Sequence, residues 1–176
     1  MNTSQNRPPN PVDFGDHRIA DQPLLYYREV IPTKIVDVMV EEIEEVERFN
    51  NGFEDAGIGG SRDDRNDHSI RNSKICWWPE EHWACSIMSH YIGLANKHYW
   101  EYDLTFLESI QVSTYQKDGH YSWHSDYGTS ENCNFTRKLS ASLLVSEPTD
   151  YIGGDLEFID YHGNINYKIY LFFNNE

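Results

Sequence analysis

An α+β fold is what this sequence predicts, with supporting N-terminal helices and strands closing into a sandwich or jelly roll. Two observations carry that expectation. Between residues 33 and 100, apolar residues recur at helical spacing in two long stretches. From residue 106 onward the pattern changes to period two, in short segments separated by Gly, Asn, Asp and Pro. Helices first and consecutive strands after them is the order of an α+β domain.

Residues 1–22, rich in Asn, Pro, Asp and Gln, are expected to form a flexible arm, and residues 23–176 a single domain. "LLYYREVI" (24–31) has the β-formers of a strand. Pro32 opens a helix over "TKIVDVMVEEIEEVERF", with Thr33 as its expected cap and Ile35, Val38, Met39, Ile43 and Val46 on its apolar stripe. Residues 50–69 are a polar, Gly-rich loop of the length used for lids. "IRNSKICWW" (70–78) reads as a strand, and Pro79 begins a second helix that turns Trp83, Ile87, Ile92 and Leu94 toward a core. Its His82, His90 and His98 read as surface or packed histidines, because no carboxylate shares a tight spacing with them. Strands are then expected in "LESIQVSTYQ", "GHYSWHSD", "KLSASLLVSE", "GDLEFID" and "INYKIYLFF".

The charge balance narrows the partners. Fourteen Lys and Arg stand against 29 Asp and Glu, a net charge of -15, and no basic stripe is present. Phosphate backbones and anionic membranes are therefore poor partners, and a basic or neutral peptide or a small molecule fits better. Cys76, Cys85 and Cys133 are odd in number and form no CxxC, which argues for thiols in a reducing compartment. The N-terminus has no apolar h-region and no run reaches membrane-spanning length, so a cytoplasmic location is expected.

The chemistry concentrates in "GHYSWHSDYG" (119–128). His124 and Asp126 are two apart, so on an extended strand both side chains project from one face. A short His-x-Asp at the end of a β segment supplies two members of a 2-His-1-carboxylate triad, whose second histidine comes from a distant strand. Neutral imidazole and an anionic carboxylate suit Fe(II), with three positions left open.

The wider stretch "SIQVSTYQKDGHYSWHSDYG", followed by "RKLSASLLVSEPTDYIGGDLEF", resembles the Fe(II)- and 2-oxoglutarate-dependent dioxygenases of the prolyl 4-hydroxylase type, in particular their bacterial and phage PKHD-type members. "RNSKICWW" and "LANKHYWEYDL" fit the lead-in of that group, and the resemblance covers roughly residues 24–173. It implies a double-stranded β-helix, with 2-oxoglutarate decarboxylation coupled to hydroxylation of a peptidyl residue, proline being the favoured class. It also implies ascorbate to restore Fe(II), and a cytoplasmic location, the host's if the chain is viral. On it, His124 and Asp126 are iron ligands. Tyr115, Tyr121, Ser142 and Leu144 line the cosubstrate pocket, and Arg137 is structural or substrate-facing. Asp150, Tyr151, Gly153 and Gly154 form a hairpin turn whose glycines supply positive φ. The loops at 50–69 and 127–136 would set the substrate.

The same resemblance implies a distal histidine and a carboxylate-binding Arg or Lys after the last strand. "KIYLFF" is followed only by "NNE", so the last strands are expected to be cut short and both features missing. His162, in "DYHGN", is the candidate substitute for the third ligand and would need a changed register. His120 shares strand parity with His124, but residues i and i+4 of one strand lie about 13 Å apart; His68 sits far away in the polar loop. Two functions therefore stand side by side: a dioxygenase, or a catalytically inactive jelly-roll homologue acting as a binding module. A cupin-like isomerase would need further His and Glu ligands on the strands.

Overall fold

The computed structural model describes residues 11–12, 24–27, 30–50, 52–58, 67–126, 137–147, 149–159 and 165–169. Mixed helix and antiparallel sheet is the architecture, as expected, and the strands lie in small sheets. β1 (Pro11–Val12) pairs with β2 (Tyr26–Tyr27), so two residues of the expected arm belong to a ladder. Of the strand expected over 24–31, Tyr26 and Tyr27 form β2 and Val30 and Ile31 are not strand, while residues 28–29 lie outside the described residues.

Helix α1 (Thr33–Asn50) forms where the apolar period placed it. Thr33 lies inside the helix, and the Pro32 carbonyl accepts the first bonds, from the amides of Ile35 (2.8 Å) and Val36 (3.3 Å). Met39 is 1% exposed, and Ile35, Ile43 and Val46 pack against the same core. Val38, expected on that stripe, is 42% exposed, because its position falls beside the stripe that Ile35, Met39, Ile43 and Val46 define. β3 (Glu54–Asp55) follows, a piece of the expected loop 50–69 that joins a sheet.

The expected strand 70–78 divides into β4 (Arg71–Asn72) and β5 (Lys74–Trp78). β5 pairs antiparallel with β3 and with β6 (Ile110–Thr114), whereas β4 pairs with β7 (His120–Tyr121). Lys74 opposes Thr114 and Asn72 opposes His120, so Ser73 alone faces the five residues 115–119. The ladder thus bulges, and a turn at Gln116–Gly119 absorbs the extra length.

The two faces of this ladder differ in chemistry. Cys76, Trp78 and Val112 point to one side, where they form the core with Met39 of α1 and Ala84 of α2 (Trp83–Ala95). A fully buried Val or Met side chain contributes roughly 1.5–3 kcal/mol, and the smaller Ala and Cys less. The opposite face carries a polar row, in which Gln111 Nε2 donates to Ser113 Oγ (2.9 Å) and Arg71 Nε to Ser73 Oγ (3.0 Å).

His82 caps α2: its Nδ1 accepts from the Ala84 amide (3.2 Å), which leaves the proton on Nε2, 3.1 Å from Glu42 Oε2. Its ring stacks on Trp78 at 4.2 Å, and Trp83 Nε1 donates to the same Glu42 carboxylate at 2.9 Å. His82 is therefore a packed histidine, as expected. Of the expected core residues of α2, Trp83 and Ile87 join the cluster, while Ile92 and Leu94 are half-buried. A π-helical turn (Asn96–Trp100) ends the segment at Glu101, whose φ is 54°.

Residues 137–145 carry no regular structure, so the strand expected in "KLSASLLVSE" is not formed, although Val145 packs against the core. Of "GHYSWHSD" only His120 and Tyr121 are strand. β8 (Leu156–Ile159) and β9 (Ile165–Ile169) pair antiparallel, and the glycines ahead of them have positive φ (83° at Gly153, 71° at Gly154), as their turn requires. Among the described residues no helix is long and apolar enough to cross a membrane.

Candidate functional site

The bulge delivers the site. Gly119 N donates to the Gln116 carbonyl (2.8 Å), and Asp118 takes a φ of 65° to close the turn. A Cβ at Gly119 would lie 2.7 Å from the Gln116 carbonyl oxygen and 3.1 Å from that of Asn72, so only glycine fits. The chain then re-enters the ladder at His120–Tyr121, and the Ser122 amide bonds the Ile70 carbonyl (2.8 Å). Beyond this anchor, residues 122–126 leave the sheet and carry the motif.

His124 and Asp126 meet without a strand beneath them. His124 Nε2 lies 3.3 Å from Asp126 Oδ1. His124 Nδ1 lies 2.8 Å from the Ser122 carbonyl oxygen, which can only accept, so Nδ1 carries a proton. A neutral ring then aims the Nε2 lone pair at a carboxylate oxygen, which is repulsive. The contact is favourable only when a proton or a metal cation lies between the two atoms. As a bare ion pair it would contribute little, because both side chains are largely exposed.

Neighbours orient both groups. The other carboxylate oxygen, Asp126 Oδ2, accepts from Ser140 Oγ at 2.6 Å, a short charge-assisted bond. Arg137 Nη1 donates to the Asp126 carbonyl (3.0 Å), while its Nε (2.7 Å) and Nη2 (3.0 Å) grip Glu108 in a two-pronged pair. Arg137 thus joins Glu108 to the backbone of Asp126. The His124 ring stacks on Tyr121 (3.6 Å between centroids, 17° between planes), and the Arg71 guanidinium carbon lies 4.4 Å from the Tyr121 centroid. With His124 flat against one face, the guanidinium has only the other.

Of the residues expected at the site, the structure brings together His124, Asp126 and Tyr121. Tyr115 stands 49% exposed just past β6, Ser142 is exposed and Leu144 half-buried. None of these three forms a hydrogen bond, ion pair or ring contact with the pair among the described residues. His120 faces two carbonyl oxygens, Ser69 O (3.2 Å) and Asp118 O (3.3 Å), so its ring is engaged away from any metal. His162, Gly128 and Cys133 lie outside the described residues. Among the described residues no group of three or more His, Cys, Asp or Glu is arranged to hold a metal.

Ser140, Glu108 and Arg71 went unnoticed in the sequence. Ser140 had a signal, since it sits within the "RKLS" that follows the motif; Glu108 and Arg71 had none, because their partners are distant in the chain. Two open grooves lie elsewhere along α1, one of about 270 Å³ lined by Ile31, Pro32, Ile35, Ile87 and Tyr91, the other beside Phe49 and Trp78. No family model, curated protein or solved structure matches this chain.

Proposed function

We propose that this chain is an Fe(II)- and 2-oxoglutarate-dependent dioxygenase on a jelly-roll scaffold (a double-stranded β-helix), hydroxylating a peptidyl residue with proline as the favoured class. The observation that supports it best is the convergence of His124 Nε2 and Asp126 Oδ1 at 3.3 Å. The donor set fits the metal: a neutral imidazole nitrogen and a carboxylate oxygen suit Fe(II).

When bound, iron with 2-oxoglutarate supplies oxidative decarboxylation coupled to C–H hydroxylation, and ascorbate keeps the metal reduced. The protein's share is orientation. The Ser122 carbonyl holds the proton on His124 Nδ1 and so presents Nε2 to the metal. Ser140 occupies Asp126 Oδ2, which leaves Oδ1 as the single coordinating oxygen. Tyr121 holds the imidazole plane by stacking. Tyr115, Ser142 and Leu144 are the proposed cosubstrate contacts and His162 the proposed third ligand. The acidic chain favours a basic or neutral peptide substrate.

A second reading, a binding module without turnover, has one observation in its favour: only two donors meet at the pair among the described residues. Anaerobic titration with Fe(II) and 2-oxoglutarate separates them. A weak visible charge-transfer band, and succinate formed on admitting air, are expected of the dioxygenase. Neither band nor succinate would refute it.

A further inference from the structure

The second groove on α1 joins an apolar wall to two carboxylates. Glu42, Glu45, Val46 and Phe49 fall on one stripe of the helix, at i, i+3, i+4 and i+7. With Trp78 and His82 they line an open groove of about 360 Å³. Phe49 is 71% exposed at its edge and takes no part in the core that Met39, Ile43 and Val46 build. A volume of this size sits at the low end for ligand sites and suits one long side chain.

The charge of the groove names its occupant. Trp83 Nε1 donates to both Glu42 oxygens (2.9 and 3.1 Å), and His82 Nε2 lies 3.1 Å from Oε2. Both rings are neutral, since His82 Nδ1 accepts the Ala84 amide, so they orient the carboxylate and leave its charge in place. Its side chain stays 35% exposed, and Glu45, also exposed, stands one turn further along. Glu41, Glu44 and Glu47 add to the field, and the neighbouring Arg48 is tied to Glu44 at 3.5 Å. The Arg48 guanidinium also lies 5.6 Å from the Phe49 centroid, so this ring already supports a cation of that shape.

We infer that this groove docks a basic segment of a partner protein and seats one of its arginines. The arginine stem lies on Val46 and Phe49, and its guanidinium reaches Glu42 and Glu45. Arginine suits the place better than lysine, because a planar fork pairs with carboxylates and stacks on rings. A second copy of this chain fits poorly, since each copy carries a net charge of -15. Trp78 belongs to the core face of β5, opposite the polar row that includes Arg71. The docking surface is therefore separate from the His124–Asp126 pair, and it does not rest on the dioxygenase reading.

The test is titration of the full chain, with EDTA present, by a short Gly/Ser peptide bearing one central arginine between two lysines. Binding is followed in the indole ¹⁵N–¹H spectrum, where the Trp83 signal should shift to saturation because its N–H rests on Glu42. Replacing the central arginine by citrulline should weaken binding at least about tenfold, and by lysine less. Phe49→Ala and Glu45→Gln should each weaken it about threefold or more; both side chains are exposed, so the fold is kept. Glu47→Gln makes the same charge change away from the groove and should leave binding nearly unaltered. No saturable shift, equal affinity for the citrulline peptide, or unchanged binding by Phe49→Ala would overturn the inference. So would equal losses in Glu45→Gln and Glu47→Gln, which would reduce the effect to net charge. A dimer of the unliganded chain in sedimentation, dissolved by Phe49→Ala, would seat a second copy there instead and overturn it too. Iron is absent throughout, so this surface and the metal site stand or fall separately.

Discussion

Ser140 Oγ donates to Asp126 Oδ2 at 2.6 Å, a bond across fourteen residues that fixes which carboxylate oxygen turns toward His124. Partners of this kind around ligating groups typically contribute 10–100-fold in metal affinity. Ser140→Ala should therefore weaken Fe(II) binding by roughly that factor and leave the fold intact, since the position is exposed. His124→Ala and Asp126→Ala should abolish binding. Anaerobic calorimetry with Fe(II) on the four proteins checks the order, and equal affinity across them would remove the pair from the site.

Gly119→Ala drives a methyl group to 2.7 Å from the Gln116 carbonyl oxygen, a backbone atom that cannot swing away. A loss of about 1–3 kcal/mol is expected from such overpacking, read as a lower urea midpoint with unchanged slope. Because the same turn delivers Tyr121 and His124, iron affinity should fall with it. Asp118→Gly, at a φ of 65°, should be neutral or stabilising.

The Tyr27 and Tyr91 rings pack with centroids 5.5 Å apart and planes tilted by 56°, yet their hydroxyls have opposite fates: Tyr91 Oη donates to the Val30 carbonyl at 2.7 Å, and Tyr27 Oη is buried without a partner. Tyr91→Phe should cost about 1 kcal/mol, and Tyr27→Phe should gain a similar amount or cost nothing. Burial first, then the neighbouring Tyr99 and Tyr91, push the Tyr27 phenol up to about 12. The fold thus favours the neutral form. That stability is complete below the ordinary value of 10.0 and is lost as pH rises from there toward 12. Alkaline denaturation monitored by circular dichroism should be shifted upward in Tyr27→Phe, and an unchanged curve would show that this phenol is not linked to folding.

Cys76 and Cys85 are buried, and burial raises both thiols above their usual value. Thiolate is the reactive form, so both should resist iodoacetamide near neutral pH and react promptly in denaturant. Peptide mass mapping before and after urea distinguishes them, and rapid labelling of either in the folded chain would contradict its place in or beside the core.

The amino-acid order by itself settled what depends on neighbours within a few residues. α1 and α2 are legible because Ile35, Met39, Ile43 and Val46, and then Trp83 and Ile87, repeat at the spacing of one helical face. His124 and Asp126 are legible as a pair because they are two apart, and the acidic balance is a plain count. Tertiary structure decided the rest. It split the apolar run at 70–78 between two ladders, since only pairing with residues 110–121 reveals that Ser73 faces a bulge. It left "KLSASLLVSE" unpaired despite its β-forming residues, because strand formation depends on a partner more than on propensity. It also assembled the surroundings of the motif: Ser140 on Asp126, Glu108 on Arg137, and Arg71 under Tyr121. These contacts join residues 14 to 50 positions apart, and hydrogen bonds and ring stacks at that separation leave no period or spacing in the chain that makes them.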